Sequence, residues 1–395
     1  MLRWLCTILA GLLVASYASF ALLAPVRALP PTTTFHYSHE ASTVKLSWPT
    51  RGMAAVGAEG FGVLATNGTS APLPTASTIK VLTALCVLQK YPLQLHQQGP
   101  SITITQEDLD SLAKFEARDG SVVRVQLGEQ LSEYQALQAL LLPSANNIAE
   151  TLARWAFGSL PAYSTYANTL AASLGMTSTT VTDPSGFAPS TTSTPHDLVL
   201  LGEAALQNAI ISDVMNQTSA MLPVVGLIHN YNVLLGQHGI IGVKTGNNDQ
   251  DPGAYIVASQ QKIGNKTVAL VAAVMNGANL WSTMYSSLPL LDSAAKGFRD
   301  MTVVNTGDSV ATYRAAWGGH ATVVASKSVS MPIWDGSIIT SSIRVDRLPV
   351  HARSNEVVGT LTIRSSTFGS IVVPLILKQE IPEPSIWWKL LHPVR

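Results

Sequence analysis

Ser77 and Lys80 stand three residues apart at the head of an apolar run, Val81 to Leu88. If that run is a helix, positions three apart share a face, and the serine hydroxyl comes within reach of the lysine amine. A serine hydroxyl is a poor nucleophile until a base takes its proton. Lysine serves as that base only where burial or a nearby cation lowers its pKa. Ser77 would also lie beside the unpaired N–H groups of a helix start, which suit an oxyanion. The Ser-x-x-Lys spacing is common by chance, and on its own the blander reading prevails: a capping serine and a solvated lysine.

Two further groups change that balance. Ser144 and Asn146 follow Pro143, in a break between the apolar stripe Tyr134, Leu137, Leu140, Leu141 and a second helical run from Ile148 to Phe157. Side chains on such an interruption project into clefts, although a serine there is also an ordinary N-cap. Lys244-Thr245-Gly246 ends a strand-like run that begins at Gly239. It offers an ammonium for a substrate carboxylate, a hydroxyl to assist, and a glycine that lets a substrate backbone lie close.

The elements that must position these groups are partly readable. Val81 to Leu88 is too long for a typical strand, so a buried helix is expected to open near Ser77, after the Pro-rich Ala71 to Pro74. Gly52 to Ala58 and Phe61 to Thr66, around Glu59-Gly60, form a hairpin that feeds it. Gly239 to Gly246, Gly253 to Gln260 and Thr267 to Met275 make an antiparallel sheet with a turn at Gly264-Asn265. A short strand is expected from Thr43 to Trp48, short strands around a polar segment over 101–128, and a surface loop from Leu160 to Thr194. Thr194, Pro195 and Asp197 read as N-cap, first helical residue and capping-box acid. His196 reads as solvated, and His229 and His238 as loop residues lacking the spacing of a metal site, so neither metal nor cofactor is expected.

Composition narrows the partners. Only 12% of residues are charged, and Lys plus Arg balance Asp plus Glu at 24 each. No basic field exists to hold nucleic acid. Residues 1–28 carry Arg3, an apolar stretch from Trp4 to Pro25 and then Val26-Arg27-Ala28, which reads as a signal peptide or an uncleaved membrane anchor. The rest would then be exported. Cys6 and Cys86 are the only thiols, so a processed chain has no intrachain disulfide.

Residues 29–50 are expected to be a linker and first strand, 51–299 a catalytic domain, and 300–380 a small all-β domain with alternating runs and Gly and Ser turns. The tail 381–395 carries Trp387-Trp388-Lys389, which suits a membrane interface and equally packing onto the β-domain.

Ser-Thr-Ile-Lys, Ser-Ala-Asn and Lys-Thr-Gly occur in this order, with steps of 67 and 100 residues between Ser77, Ser144 and Lys244. The set resembles that of the active-site serine penicillin-binding proteins, in particular the low-molecular-mass D-alanyl-D-alanine carboxypeptidases. Pro184 to Phe187, Ser193 to Leu198 and Gly253 to Ser259 are similar to phrases of that family, and the resemblance covers about residues 50–298. It implies an α+β fold: a β-lactamase/transpeptidase-like domain, with an antiparallel sheet flanked by helices and a helical subdomain, then the small β-domain.

It also implies roles. Ser77 would be the acyl-forming nucleophile, Lys80 its proton acceptor and Ser144 a proton shuttle. Asn146 would hold the substrate amide, Lys244 and Thr245 the terminal carboxylate, and Gly246 would let the substrate backbone lie close. The N–H groups of Ser77 and Asn247 would form the oxyanion hole. The implied partners are a peptidoglycan stem peptide ending in D-Ala-D-Ala, β-lactams as inhibitors, and the membrane surface. The implied location is the cell envelope, secreted or anchored at the outer face of the cytoplasmic membrane.

Asn248 departs from the family, which has Thr or Ser there, and the loop Asn247 to Pro252 with Asp249 and Asp251 is long and acidic. Two rivals remain at this stage. A class A-like β-lactamase needs a carboxylate to activate water, and Asp183 is the only acid between Leu160 and Ser190. A non-catalytic peptidoglycan-binding protein would not need the intact Ser77, Lys80, Ser144 and Lys244.

Overall fold

The computed structural model describes residues 2–248, 251–349 and 352–394, without the side chains of Leu2, Asn248 and Asp251. The chain divides into two compact units. One comprises residues 42–299 with 334–336, and the other residues 1–41, 300–333 and 337–395.

The first unit is built on a five-stranded antiparallel sheet in the order Ile240–Asn248, Asp251–Ile263, Lys266–Gly277, Met53–Ala58, Gly62–Asn67. The strand Lys266–Gly277 shows why its sequence is so uniformly apolar. Leu270, Ala272 and Val274 face the cluster shared with Leu290, Leu291 and Ala294 of the helix Leu280–Ala295. Val271, Ala273 and Met275 face the opposite way, into the large helical cluster. A strand covered on both faces has no polar side to alternate with.

That cluster gathers the helices Lys80–Lys90, Glu133–Leu141, Asn146–Phe157, Leu160–Ser173 and Pro195–Gln207. Lys80–Lys90 is buried all round from Lys80 to Leu88, as expected of a helix apolar on every face. Ser77 lies one turn earlier, in a 3₁₀ turn over Ala76–Ile79 rather than in the α-helix itself.

Several expectations need correction. Thr43 to Trp48 forms no strand; Val44, Leu46 and Trp48 still pack against the sheet's cluster, while the Ser47 N–H donates to Ser293 Oγ at 2.8 Å. Within 101–128 only Ser101–Thr103 is a strand, and the polar segment is a helix, Gln106–Glu116, closed by a capping box between Thr105 and Asp108. The first part of the expected loop 160–194 is the helix Leu160–Ser173, whose N-cap Ser159 accepts from the Ala162 N–H. Thr194 does cap the next helix, accepting from the Asp197 N–H at 3.2 Å. The Asp197 carboxylate closes no capping box; it accepts from the Ser178 N–H and Thr179 Oγ1 instead. His229 ends a short strand, Gly226–His229.

The second unit carries a seven-stranded sheet in the order Pro31–Thr33, Ser309–Arg314, His320–Ala325, Gly369–Leu377, Val357–Ser365, Ile339–Val345, Ser38–His39. The segment 29–34, read as a linker, is thus partly an edge strand, where the missing N–H of Pro31 costs no inner ladder bond. Its core is apolar, centred on Val310, Tyr313, Leu361, Leu375 and Leu377.

The helix Leu2–Leu23 contains a stretch, Arg3–Leu23, long and apolar enough to cross a membrane, and almost all of it is exposed. Its Tyr17 hydroxyl donates to the Leu390 carbonyl of the short helix Ile386–Leu391 at 2.7 Å. In that helix Trp388 meets Trp317 edge to face, while Ile386, Trp387 and Leu391 stay exposed.

Candidate active site

The backbone at Ser144 decides where its hydroxyl goes. Pro143 ends one helix, and Ser144 adopts φ 65°, a left-handed conformation rare for serine. Ala145, not Ser144, is the N-cap of Asn146–Phe157, so the ordinary capping role is not the one taken. The Ser144 hydroxyl instead receives a hydrogen bond from Lys80 Nζ at 3.1 Å. Lys80 Nζ also reaches Ser77 Oγ at 2.7 Å and Asn146 Oδ1 at 2.5 Å. Four groups from two stretches of the chain therefore form one hydrogen-bonded cluster around a fully buried lysine.

Burial is costly for an ammonium, and it pulls the Lys80 pKa well below its ordinary value; the nearby Lys244 ammonium adds to the shift, and Asp183 partly offsets it. The neutral amine keeps two N–H groups and one lone pair. It can hold Ser144 and Asn146 while the lone pair takes the Ser77 proton.

The helix that carries Asn146 is tied down at its far end. Burial alone would raise the Asp108 carboxyl, but hydrogen bonds from Arg154, Thr105 and Thr151 more than offset it and hold it below the usual carboxylate range. Arg154 donates to Asp108 Oδ1 at 2.7 Å, which fixes Asn146–Phe157 against Gln106–Glu116.

Lys244 and Thr245 make no hydrogen bond to that cluster. Lys244 is buried, its Nζ donates to the Thr245 carbonyl at 2.8 Å, and burial lowers its pKa to about 7. Gly246 belongs with Ser77 for a steric reason: a Cβ there would come within 3.1 Å of the Ser77 backbone nitrogen. Only glycine leaves that N–H uncovered. Asp249 lies outside the described residues, as do the side chains of Asn248 and Asp251, so the acidic loop's bearing on this pocket is not described.

A cleft of about 540 Å³ opens over these groups, lined by Ser77, Ser144, Asn146, Thr245 and Asn247. Its other walls include Phe187, the end of the family-like phrase Pro184 to Phe187, and Arg118, Gly120 and Tyr231, which no motif in the sequence marks. The glycines were the available signal. A Cβ on Gly186 would collide with the Ala76 carbonyl, and one on Gly120 would crowd Asn146 Nδ2. Asp183 builds the turn that delivers Gly186 and Phe187, accepting from Ser185 Oγ, Thr191 Oγ1 and the Phe187 N–H.

Known proteins resemble this chain in sequence and fold. A family model described as D-alanyl-D-alanine carboxypeptidase, peptidase S11, matches residues 52–279, more than half of the chain. D-alanyl-D-alanine carboxypeptidase DacB2 of Mycobacterium tuberculosis is 37% identical over 191 residues, 47% of this chain and 61% of that protein. The chain thus spans less than two thirds of that relative's length. D-alanyl-D-alanine carboxypeptidase DacA of Escherichia coli is 25% identical over 348 residues, 84% of each chain. Among solved structures, penicillin binding protein 5 from Haemophilus influenzae has a TM-score of 0.61 at 16% identity, covering 87% of this chain and 99% of that one, a likeness of fold. The D-alanyl-D-alanine carboxypeptidase from Mycobacterium tuberculosis H37Rv has a TM-score of 0.55 at 30% identity, covering 65% of this chain and 94% of that one. The fold is that of the penicillin-binding proteins and transpeptidases, α+β. Matched across its sheet and all three motifs, the chain belongs to the peptidase S11 family of D-alanyl-D-alanine carboxypeptidases.

Proposed function

We propose that this chain removes the terminal D-Ala from peptidoglycan stem peptides ending in D-Ala-D-Ala, through an acyl-enzyme on Ser77, and that β-lactams trap it there. The observation that carries this reading is the buried lysine, its pKa pulled down, whose amine touches Ser77, Ser144 and Asn146 together. Lys80 takes the Ser77 proton as Oγ attacks the penultimate carbonyl. The oxyanion forms at the N–H groups of Ser77 and Asn247. Ser144 relays the proton from Lys80 to the leaving amine, D-Ala departs, and water then hydrolyses the ester. Asn146 holds the acyl-side amide, and Lys244 with Thr245 pairs the terminal carboxylate.

The β-lactamase alternative loses support at Asp183. Its carboxylate is taken up by Ser185, Phe187 and Thr191 within its own turn, leaving it poorly placed to activate water. The enzyme works in the cell envelope, exported by its N-terminal segment and held at the membrane by the helix Leu2–Leu23 where that is retained, with the exposed Trp387 as a second contact. Release of D-Ala from diacetyl-L-Lys-D-Ala-D-Ala, with slow release of bound penicillin, is the expected result. Absence of D-Ala release, or rapid penicillin turnover, would overturn it.

A further inference from the structure

The cleft carries a cation that the reaction does not use. Arg118 lines it together with Ser77, Ser144 and Asn146. Its guanidinium lies over the Phe187 ring, 4.4 Å from the centroid. Phe187 is held in turn: its backbone N–H donates to Asp183 Oδ2 at 3.1 Å, and its ring packs edge to face with Phe115, centroids 5.2 Å apart. The Arg118 N–H donates to the Phe115 carbonyl at 3.1 Å, so the cation and its platform share one anchor. Among the described residues, Arg118 enters no ion pair. A guanidinium seated over an aromatic ring still has N–H groups to offer, and their fork matches a carboxylate.

The position tells which end of the substrate it meets. Two residues on, Gly120 packs so closely on Asn146 Nδ2 that a Cβ would approach to 2.9 Å. Asn146 is the group assigned above to the acyl-side amide, so Arg118 lies toward the acyl portion, away from the leaving D-Ala.

We infer that Arg118, held on Phe187, is a specificity residue that binds a carboxylate carried by the peptide on the N-terminal side of the scissile bond. This rests on the carboxypeptidase reading. Asp119 lines the same cleft and opposes an anion, which limits the size of the effect.

The test uses acetyl-X-D-Ala-D-Ala peptides in pairs, X bearing a side-chain carboxylate or its primary amide, in lengths from L-glutamyl to L-2-aminopimelyl. Wild type should favour the acid over its amide in kcat/KM by roughly five- to thirtyfold at the length that reaches, the span of one charge-assisted hydrogen bond in a partly exposed site. Arg118→Gln should bring that ratio to about one while leaving the amide peptide unchanged, and Arg118→Lys should restore part of it. Asp119→Asn should raise it. Equal use of acid and amide at every length by wild type, or an Arg118→Gln variant that loses equally on both, overturns the inference. D-Ala release from none of the peptides removes the carboxypeptidase reading itself, a failure distinct from activity without discrimination.

Discussion

The two units of this chain both rest on antiparallel sheet, but they bury different things. The unit 300–333 and 337–395, with residues 1–41, has a core of Val, Ile, Leu, Ala and Tyr, and Ser337 is its one buried polar residue among those described. The unit 42–299 buries Lys80, Lys244, Ser77, Ser144, Asn146 and Thr245 close to its own apolar core. Buried polar groups cost stability unless each finds a partner. Here the Lys80 cluster is satisfied by its own members, and its cost marks the place where chemistry is done. The β-unit shows what the same class of sheet buries where its core holds no such cluster.

The largest effect expected from breaking this contrast is at Lys80. Lys80→Arg should lower penicillin acylation by at least about 10³-fold, because guanidinium does not surrender its proton at accessible pH. Stopped-flow acylation measures it, and an arginine variant that keeps most of the rate would remove Lys80 as the base.

Next comes Lys244, the other buried cation. As a charge rather than a base, it should tolerate Lys244→Arg with a fair part of the activity, whereas Lys244→Gln should lose roughly one to two decades in kcat/KM. The Gln variant should also discriminate less against a peptide amidated at its C-terminus. Equal discrimination in both proteins would show that Lys244 does not read the carboxylate.

The pH dependence separates the two lysines. Lys80 must be neutral to act, and burial favours that form, so acylation should rise with pH through an apparent pKa well below the ordinary lysine value. Lys244 must be protonated to bind an anion, and its pKa near 7 in the free enzyme should make KM for the peptide climb above that pH. The same climb should vanish in Lys244→Arg. A KM flat with pH in wild type would contradict the assignment.

The smallest functional effect is expected in the β-unit. Leu375 is fully buried, and Leu375→Ala should cost about 2–5 kcal/mol of that unit's stability. Acylation by the folded protein should change less than about twofold, since that core holds no group used in the mechanism. Thermal unfolding with acylation kinetics on one sample checks both halves.

How much of this was legible in the sequence depends on how local the signal was. Ser77 with Lys80, Ser144 with Asn146, and Lys244 to Gly246 are short-range patterns; Ser77, Ser144, Asn146 and Thr245 line one cleft, Lys80 is bonded to the first three, and Gly246 packs against the Ser77 nitrogen. The strands around Gly264-Asn265 were legible from apolar runs and a turn. Gln106–Glu116 is far less so, because its surface is charged and its one clear signal is Thr105 three residues before Asp108. Leu160–Ser173 hid behind a Ser, Thr, Ala and Pro composition, although Ser159 before Leu160-Pro161 is a helix start. Val44, Leu46 and Trp48 alternate like a strand, yet that segment serves as irregular packing. Arg118 over Phe187 joins residues 69 positions apart, and no local pattern announces it.

The account stands most directly on where penicillin attaches. Wild-type protein incubated with labelled penicillin, then digested and analysed by mass spectrometry, should carry the adduct on the peptide containing Ser77, and the adduct should persist. Ser77→Ala should keep its fold, since the change removes one hydroxyl, and should carry none. Labelling at another residue, or a wild type that never labels, would contradict the nucleophile assignment and the mechanism built on it.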